Sequence, residues 1–246
     1  MILDIFLFFL LGLIFGSFIN SLVYRLYHNL TLWGRSFCQN CRKTLAFFDL
    51  IPFLSFILLK GKCRYCQKQI SWQYPLVELI TGLLFALVWL KNQTVDLFLF
   101  RDLFFILVLI FLFVFDLKYY LILDKIVWPA LLVAFIFNLI LDIGIWSLVI
   151  GVAIGSGFFL LQYLVSSGKW VGLGDAKLGA LIGVMFGWKL TLLALVIAYL
   201  IGGLTAIILL ISKQKKFGDV LPMGTFLACA ATIVLLWGDK ILSWYF

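Results

Sequence analysis

The chain of 246 residues is 65% hydrophobic and only 12% charged, a composition that excludes an ordinary soluble domain. Apolar runs of about 18 residues or more predict membrane-spanning helices, because about 20 helical residues cross the hydrocarbon layer. The first run carries Asp4 where a signal peptide would be basic, and it shows no clear small-residue cleavage site. We therefore expect this run to be retained as a membrane span.

The apolar runs predict an all-α polytopic membrane protein with about eight transmembrane helices. In chain order these helices cover residues 5–24, 75–91, 97–115, 126–143, 145–165, 177–190, 191–211 and 221–238. Arg101 and Asp102 lie near the start of the third helix, which is therefore expected to begin later and to be short. The sixth helix is also expected to be short and is rich in glycine.

Three regions follow from this pattern. They are a first transmembrane helix at 1–24, a loop at 25–74 and a membrane core with about seven helices at 75–246. The loop contains a ten-residue apolar stretch, LIPFLSFILL, which is too short to span the membrane. This stretch is expected to pack under the cysteine-rich part of the loop or to lie at the membrane interface.

The basic residues are distributed unevenly along the chain. With the loop at 25–74 inside, 15 of the 19 lysines and arginines fall on the cytosolic side, and the other four are Lys91, Arg101, Lys189 and Lys240. The positive-inside rule therefore predicts a cytosolic loop and two outer chain ends. This topology and anionic lipid headgroups account for the net charge of +8. We predict a lipid bilayer, and no nucleic acid, as a partner.

Four cysteines in the loop, Cys38, Cys41, Cys63 and Cys66, form the pattern C-x2-C-x21-C-x2-C. Each pair can present two thiolates to one ion, and two pairs complete the tetrahedron of a structural zinc site. Gly61 precedes the second pair and suits a tight turn. A cytosolic location disfavours the alternative of disulfides or redox thiols. The single histidine, His28, is expected to be interfacial rather than a ligand.

Two aspartates lie at predicted helix ends on the cytosolic side. Asp116 ends the third helix, and Asp175 opens the sixth, with Gly172 and Gly174 before it and Lys177 after it. Two close carboxylates can share a proton, so that one activates water while the other donates to a carbonyl oxygen. The glycines would let the backbone turn tightly there and approach a substrate. The spacing alone also permits two unrelated interfacial acids.

The helix ends suggest a division of roles within this pair. Asp175 lies at a helix N-terminus, which favours the anion, and Asp116 lies near a helix C-terminus, which favours the neutral acid. The hypothesis is therefore that Asp175 is the base and Asp116 the acid. The other aspartates at outer connections or chain ends are expected to be solvated or interfacial; they are Asp4, Asp96, Asp102, Asp142 and Asp239.

Several motifs, together with the two cysteine pairs, occur in the order typical of bacterial prepilin peptidases, also called type IV leader peptidases. These motifs are GSFINSLVYRL, DLIPFLSFILLKGKC, ISWQYPLVELITGLLFA, FDLKYYLILD, GLGDAKL and DVLPMGTFLACA. The chain resembles this family over nearly its whole length. The resemblance implies a multi-pass inner-membrane aspartic protease that removes the short basic leader of type IV prepilins or pseudopilins at the cytosolic face. Many members then N-methylate the new N-terminal residue with S-adenosylmethionine.

The resemblance places the two catalytic aspartates of the family on Asp116 and on Asp175 of the GxGD motif, and the zinc-type cysteines on the four named above. It implies that 75–246 is the protease core and that 25–74 holds the methyl-transfer region, because shorter peptidase-only relatives lack this loop. Gly61 and Glu78 are the weaker candidates for binding the methyl donor. Glu78 is equally compatible with a helix-start residue bonded to a neighbouring span.

The chain departs from the family pattern at three places. Leu123 stands where the family has a proline before Asp124, and Gln39 stands where a proline is common after the first cysteine. The family sequence PFGPF reads PMGTF at 222–226, so the local loop is expected to differ. None of these changes removes a catalytic group.

Two alternatives stay open beside the bifunctional peptidase and methyltransferase. The first is a peptidase without methylation. The second is a non-enzymatic membrane adaptor or transporter, whose zinc module binds a partner and whose buried acids are proton or cation sites. Competence pseudopilins, secretion pseudopilins and true pilins are all compatible substrates, and the pattern favours no oligomeric state.

Overall fold

A computed structural model describes residues 2–216 and 218–245 of the protein. In chain order the helices are α1 Ile2–Tyr27, a 3-10 helix Phe47–Leu50, α2 Leu54–Leu58, α3 Gln73–Asn92, α4 Leu97–Tyr119, α5 Asp124–Ile140, α6 Ile145–Ser166, α7 Leu173–Ile211 and α8 Met223–Tyr245. Within the described residues there is no strand, and only two isolated bridges join Phe37 to Thr44 and Lys62 to Gln69. The prediction of an all-α fold is confirmed.

Six of these helices, α1, α3, α4, α6, α7 and α8, are long and apolar enough to cross a membrane. Helix α5 has 17 residues and is slightly shorter. Many large apolar side chains on these helices are exposed in the isolated chain, among them Phe6, Leu161 and Leu200. Such exposure is expected where side chains face lipid rather than water. The protein is therefore a multi-pass membrane protein, as predicted.

Helix α7 is not a straight rod, because the chain reverses at Gly187. This residue has φ 70° and ψ −179°, outside the helical region. The Thr191 hydroxyl donates to the carbonyl oxygen of Ile182 at 3.4 Å, whereas nine residues of straight helix span about 13 Å. The two ends of α7 also meet the same neighbouring segment: Gly174 lies against Ile122, and Lys215, just beyond α7, lies over the ring of Tyr120. A straight helix of this length would separate its ends by about 58 Å.

The reversal agrees with the predicted pair of spans at 177–190 and 191–211, with the boundary at Gly187 instead of residue 190. A β-carbon at position 187 would lie 2.4 Å from the Ser147 hydroxyl oxygen, so the turn needs glycine for its space as well as for its backbone angles. With α5 and the two arms of α7, eight helical segments occupy the positions of the eight predicted spans.

The chain divides into two compact units, residues 1–95 and residues 96–246. In the first unit α1 packs against α3, and in the second α4 to α8 pack together. The contacts thus group the segment 73–92 with α1. The functional division into 1–24, 25–74 and 75–246 stays a prediction.

Glycines allow the closest helix contacts within each unit. In the first unit, a β-carbon at Gly12 of α1 would lie 2.6 Å from the carbonyl oxygen of Thr81 in α3. In the second unit, Gly155 of α6 lies against Gly179 of α7, where a β-carbon would come within 2.2 Å of a carbonyl oxygen. Small residues at such positions let membrane helices pack backbone against backbone. The glycine-rich sixth span is therefore a packing surface.

Helix α4 corrects two expectations. It begins at Leu97, after the Asp96 side chain accepts a hydrogen bond from the Leu99 amide at 2.9 Å, so it is neither late nor short. Asp102 is fully buried instead of solvated. Its carboxylate pairs with the guanidinium of the adjacent Arg101 at 2.8 Å. The opposite charges of Arg101 and Asp102 neutralise each other. The apolar helix can therefore contain both residues and begin ahead of them, at Leu97.

Candidate active site and metal centre

Asp116 lies one turn before the end of α4 and is almost completely buried. Its Oδ2 atom accepts two hydrogen bonds from Thr225, one from the backbone amide at 2.6 Å and one from the hydroxyl at 3.0 Å. Thr225 belongs to the first turn of α8. The carboxylate is thus held against a helix N-terminus, where free amides and the helix dipole favour an acceptor.

Asp175 is the third residue of α7, and its Oδ2 atom accepts a hydrogen bond from the Gly172 amide at 3.0 Å. This bond caps the start of the helix. Gly172 itself has φ −89°, an angle open to any residue, so the predicted glycine-dependent turn is not seen at position 172. At Gly174 the requirement is space, because a β-carbon there would lie 3.1 Å from the β-carbon of Ile122.

Ile122 connects the surroundings of the two carboxylates. Its side chain contacts Gly174, the neighbour of Asp175, and also Gly224, where a β-carbon would lie 3.1 Å from Ile122 Cδ1 and 2.9 Å from Asp116 Oδ2. The charges of Asp116 and Asp175 act on each other. The structure therefore brings both predicted catalytic residues to one place, which favours a pair over two unrelated acids. Their catalytic role stays a prediction at this point.

Lys177 is engaged outside this pair. Its Nζ atom binds both carboxylate oxygens of Asp124, at 2.6 and 2.9 Å. Both side chains are partly exposed, so this ion pair contributes little stability by itself. It connects the first turn of α7 to the first turn of α5. Lys177 therefore supports the position of the GxGD segment through its contact with Asp124.

In the first unit, the sulfur atoms of Cys38, Cys41, Cys63 and Cys66 all lie within 4.8 Å of one another. Cys38 and Cys66 are separated by 3.9 Å between sulfurs. A tetrahedral zinc ion with bonds of about 2.3 Å requires sulfur separations of about 3.8 Å. All four thiols are free of disulfides. The residues present therefore fit a structural zinc ion, and His28, which contacts the rings of Tyr24 and Tyr27, is not part of the cluster.

The two cysteine pairs have the same backbone turn. The Cys38 amide donates to the Lys43 carbonyl oxygen and the Arg42 amide donates to the Cys38 carbonyl oxygen, each at 2.9 Å, and the second pair repeats both bonds at the same distance. The residue after the second cysteine of each pair, Arg42 or Gln67, has a left-handed φ of 60° or 58°. Each pair therefore forms a tight turn that directs two sulfurs to one side, and Gly61, with φ 69°, lies in a turn before the second pair.

The Cys66 thiol shows how the loop prepares the cluster for a cation. The backbone amide of Lys68 and the side-chain amide of Asn40 donate to its sulfur, and these bonds lower its pKa to about 6. Thiolates are the form that binds zinc, so these two bonds favour the zinc-binding form of Cys66.

A cavity of about 460 Å³ lies within the first unit, beside the cysteine cluster. Its walls combine aromatic rings, acids and bases with two cysteines of the cluster; they include Tyr24, Phe37, Cys38, Asp49, Phe56, Cys63, Arg64, Lys68, Tyr74 and Glu78. This volume lies within the range of about 300–1,000 Å³ that is usual for cofactor and small-molecule sites. Gly61 does not line the cavity, but its turn lies against the ring of Phe56, which does.

Glu78 lines the α3 side of this cavity. Its Oε2 atom accepts a hydrogen bond from the Phe53 amide at 2.8 Å, and its carboxylate is also bonded by the Ser17 side chain of α1. Glu78 is therefore bonded to a neighbouring span, as one of its two interpretations predicted. It is buried and also borders the cavity, so the other interpretation, a role in binding a ligand, stays open.

Comparisons with known proteins agree with this arrangement. A model of the bacterial peptidase A24 N-terminal domain matches residues 10–92, and a model of the type IV leader peptidase family matches residues 103–207. The chain is 35% identical to the prepilin leader peptidase/N-methyltransferase of Bacillus subtilis over 242 residues, with 96% of each chain covered. The enzymes of that name from Aeromonas salmonicida and Pseudomonas aeruginosa are each 32% identical and cover 96% of this chain, with 92% and 91% of their own length matched.

The chain belongs to the type IV leader peptidase family. The resemblance seen in its motifs is confirmed, although no solved structure matches it. Each family match falls within one of the two compact units of the chain. The N-terminal match contains the cysteine cluster and the cavity, and the second match contains Asp116 and Asp175.

The sequence analysis does not identify three residues that surround the two aspartates. Thr225 and Gly224 lie more than 100 positions after Asp116, and Ile122 is an apolar residue in a run of apolar residues. The departure from the family pattern at 222–226 was a usable signal for Thr225. It predicted only a different local loop, whereas the structure shows a direct bond to a carboxylate.

Proposed function

We propose that this protein is a membrane aspartic endopeptidase that removes the short basic leader of type IV prepilins or pseudopilins. The observation that supports this most is the pair of Asp116 and Asp175, which two helix starts and Ile122 bring to one place in the segment matched by the family. The relatives are named for this reaction. The non-enzymatic alternative would make the same acids proton or cation sites, but the relatives that match the chain are named as enzymes.

The chemistry needs only the two carboxylates and one water molecule. One carboxylate accepts a proton from the water as its oxygen attacks the scissile carbonyl carbon, and the other donates a proton to the carbonyl oxygen. Two close carboxylates cannot both ionise cheaply, so such a pair tends to share one proton. The near-complete burial of Asp116 keeps bulk water away from the reacting bond.

The location follows from the charge pattern and from the substrate. A leader that is basic stays among anionic headgroups, while the apolar helix that follows it lies in the bilayer. We infer that the protein lies in the bacterial cytoplasmic membrane with its acids at the cytosolic face, since 15 of the 19 basic residues fall on that side in the predicted topology. Asp116 near the end of α4 and Asp175 at the start of α7 then lie at the level of the scissile bond.

We also propose that the first unit N-methylates the new N-terminus and binds S-adenosylmethionine in its cavity. The cavity fits such a ligand in volume, and the rings of Tyr24 and Tyr74 and the carboxylates of Asp49 and Glu78 offer surfaces for its adenine and its positive groups. The bound ligand supplies an electrophilic methyl group. Gly61 contributes through the turn that sets Phe56 in the wall.

A structural zinc ion held by the four cysteines completes this proposal. Cys38 and Cys63 line the cavity, so the cluster fixes part of its wall. The peptidase without methylation stays the second candidate. The metal-ready cluster and the cavity beside it favour the bifunctional enzyme, because leader cleavage alone requires neither.

The test uses the full-length protein in nanodiscs, a synthetic prepilin peptide with a basic leader, and S-adenosylmethionine. Mass spectrometry should show loss of the leader, followed by the gain of one methyl group on the new N-terminus. Cleavage without methylation would support the second candidate. A folded protein that leaves the peptide intact would contradict the protease and favour the adaptor.

A further inference from the structure

We infer that Thr225 is a positioning residue that holds Asp116 as the proton-accepting member of the carboxylate pair, so that Asp175 carries the shared proton. The observation is two hydrogen bonds from Thr225 to a single oxygen of Asp116. The inference rests on the proposed protease function and assigns the roles within that same site.

The geometry restricts where a proton can lie. The Thr225 amide and hydroxyl reach Asp116 Oδ2 at 2.6 and 3.0 Å, and both residues are about 95% buried, with exposures of 5% each. The amide can only donate, so Oδ2 must present a lone pair to it. The shared proton therefore lies either on Asp116 Oδ1 or on Asp175. Donors that point at a carboxylate oxygen are strongest when the carboxylate is ionised.

The backbone of α8 strengthens this preference. Gly224 brings the helix start into contact with the carboxylate, since a β-carbon there would lie 2.9 Å from Oδ2 and 3.0 Å from Cγ of Asp116. Thr225 is the third residue of α8, whose free amides and dipole favour an anion at this end. Asp116 therefore contacts the N-terminus of α8, which favours an anion, although it lies near the C-terminus of its own helix α4, which does not.

Asp175 has fewer donors. Its Oδ2 atom accepts one bond, from the Gly172 amide at 3.0 Å. Among the groups around the pair, Asp116 acts on Asp175, Asp175 acts on the Tyr199 hydroxyl in the second arm of α7, and Lys177 is bound by Asp124. Two donors on Asp116 against one on Asp175 place the shared proton on Asp175. This reverses the division of roles that the helix ends alone suggested.

The reaction then has a defined direction. Asp116 takes a proton from the water whose oxygen bonds to the carbonyl carbon, while Asp175 gives its proton to the carbonyl oxygen. In the second step one hydroxyl of the tetrahedral intermediate returns its proton to Asp175, and Asp116 gives its proton to the leaving amine as the C–N bond breaks. Both carboxyl groups end in their starting states, and no other reactant is needed.

The test compares Thr225→Val and Thr225→Ser in the full-length protein in nanodiscs. Valine keeps the shape and the amide but removes the hydroxyl, and serine keeps both donors. We expect Thr225→Ser to retain most activity and Thr225→Val to lower kcat roughly ten-fold, with little change in KM. The acid limb of the pH–rate profile should move to higher pH in Thr225→Val, because ionised Asp116 loses a donor.

The outcomes separate this inference from the proposed function. A wild-type protein that cleaves, together with a Thr225→Val variant that has normal kcat and a normal acid limb, would overturn the role of Thr225 alone. Equal losses in the serine and valine variants with an unmoved acid limb would show a packing role and also overturn it. Thr225→Ala replaces the valine variant if size exclusion shows that the latter is misfolded. Absence of cleavage by the wild type would instead overturn the protease itself.

Discussion

The two compact units build their sites in different ways. In the first, the cysteine cluster comes from two copies of one short turn, separated by 21 residues and closed by the same pair of backbone bonds. In the second, the aspartate site comes from the end of α4, the start of α7 and the start of α8, and Thr225 reaches Asp116 across 109 positions. A local site can be read from spacing, whereas a distributed site depends on how helices pack and where the chain reverses.

The largest expected effect breaks the distributed site. Asp116→Asn and Asp175→Asn should each lower leader cleavage by roughly a thousand-fold or more, because asparagine keeps the shape but cannot exchange the proton that activates water. Cleavage of a prepilin peptide in nanodiscs is the measurement, with size exclusion to check folding. The zinc content of the first unit should not change.

Two aspartates serve as controls for this prediction. Asp124 is partly exposed and paired with Lys177, so Asp124→Asn should have a small effect. Asp142 lies in the connection after α5, on the predicted outer side, and Asp142→Asn should have none. Near-normal turnover in either variant of the pair would refute the assignment of the acids. A dead Asp142 variant would refute the topology.

The second prediction concerns the reversal that assembles the distributed site. Gly187→Ala should destabilise the second unit, because the backbone angles at Gly187 are open almost only to glycine and a β-carbon would lie 2.4 Å from the Ser147 hydroxyl oxygen. The cost is of the order of 1–3 kcal/mol. The thermal unfolding temperature in detergent and the rate of leader cleavage should both fall. Gly157→Ala on α6 is the matched control, since a β-carbon there has nothing within 4 Å. A similar loss of stability and cleavage in that variant would show that the turn at Gly187 is not responsible.

The contrast between the units explains what could be predicted from the sequence. The four clustered cysteines and the positions of eight helical segments follow from spacing and apolar runs, which are local properties. Asp116 and Asp175 could be named because of the family motif, while their approach to each other depends on the reversal at Gly187. The apolar pattern predicts the boundary between the two spans near residue 190. Both arms are apolar, so only the backbone angles at Gly187 show where the chain turns.

The expectation that Asp102 is solvated is wrong, because a charge near a helix start usually is solvated but the adjacent Arg101 neutralises this one inside the unit. The hypothesis that Asp116 is the acid considers only its own helix, whereas two donors to its carboxylate come from α8. The first contact joins neighbours in the sequence, and the second lies outside what the pattern of a single helix reveals.

The third prediction breaks the local site. Cys38→Ser should lower the zinc content and increase protease sensitivity in the loop at 25–74, because the binding energy of a closed four-ligand site is also folding energy. Methylation should fall more than leader cleavage. Metal analysis and limited proteolysis are the measurements, and Cys229→Ser, in α8 and outside the cluster, is the control. A wild-type protein without zinc, whose four thiols are paired as disulfides, would refute the metal site.

The smallest expected effect distinguishes the two glycines of the GxGD motif. Gly174→Ala places a β-carbon 3.1 Å from Ile122, the side chain that also contacts the start of α8, so the spacing between the carboxylates must change by a few tenths of an ångström. Gly172→Ala meets nothing closer than Asp175 Oδ2 at 3.7 Å, an ordinary contact, and its backbone angles suit any residue. We expect Gly174→Ala to lower kcat by roughly ten-fold, in line with the sensitivity of catalysis to small misplacements, and Gly172→Ala to lower it less. The reverse order would mean that the motif needs glycine at 172 for a substrate approach, and that Ile122 does not set the distance between Asp116 and Asp175.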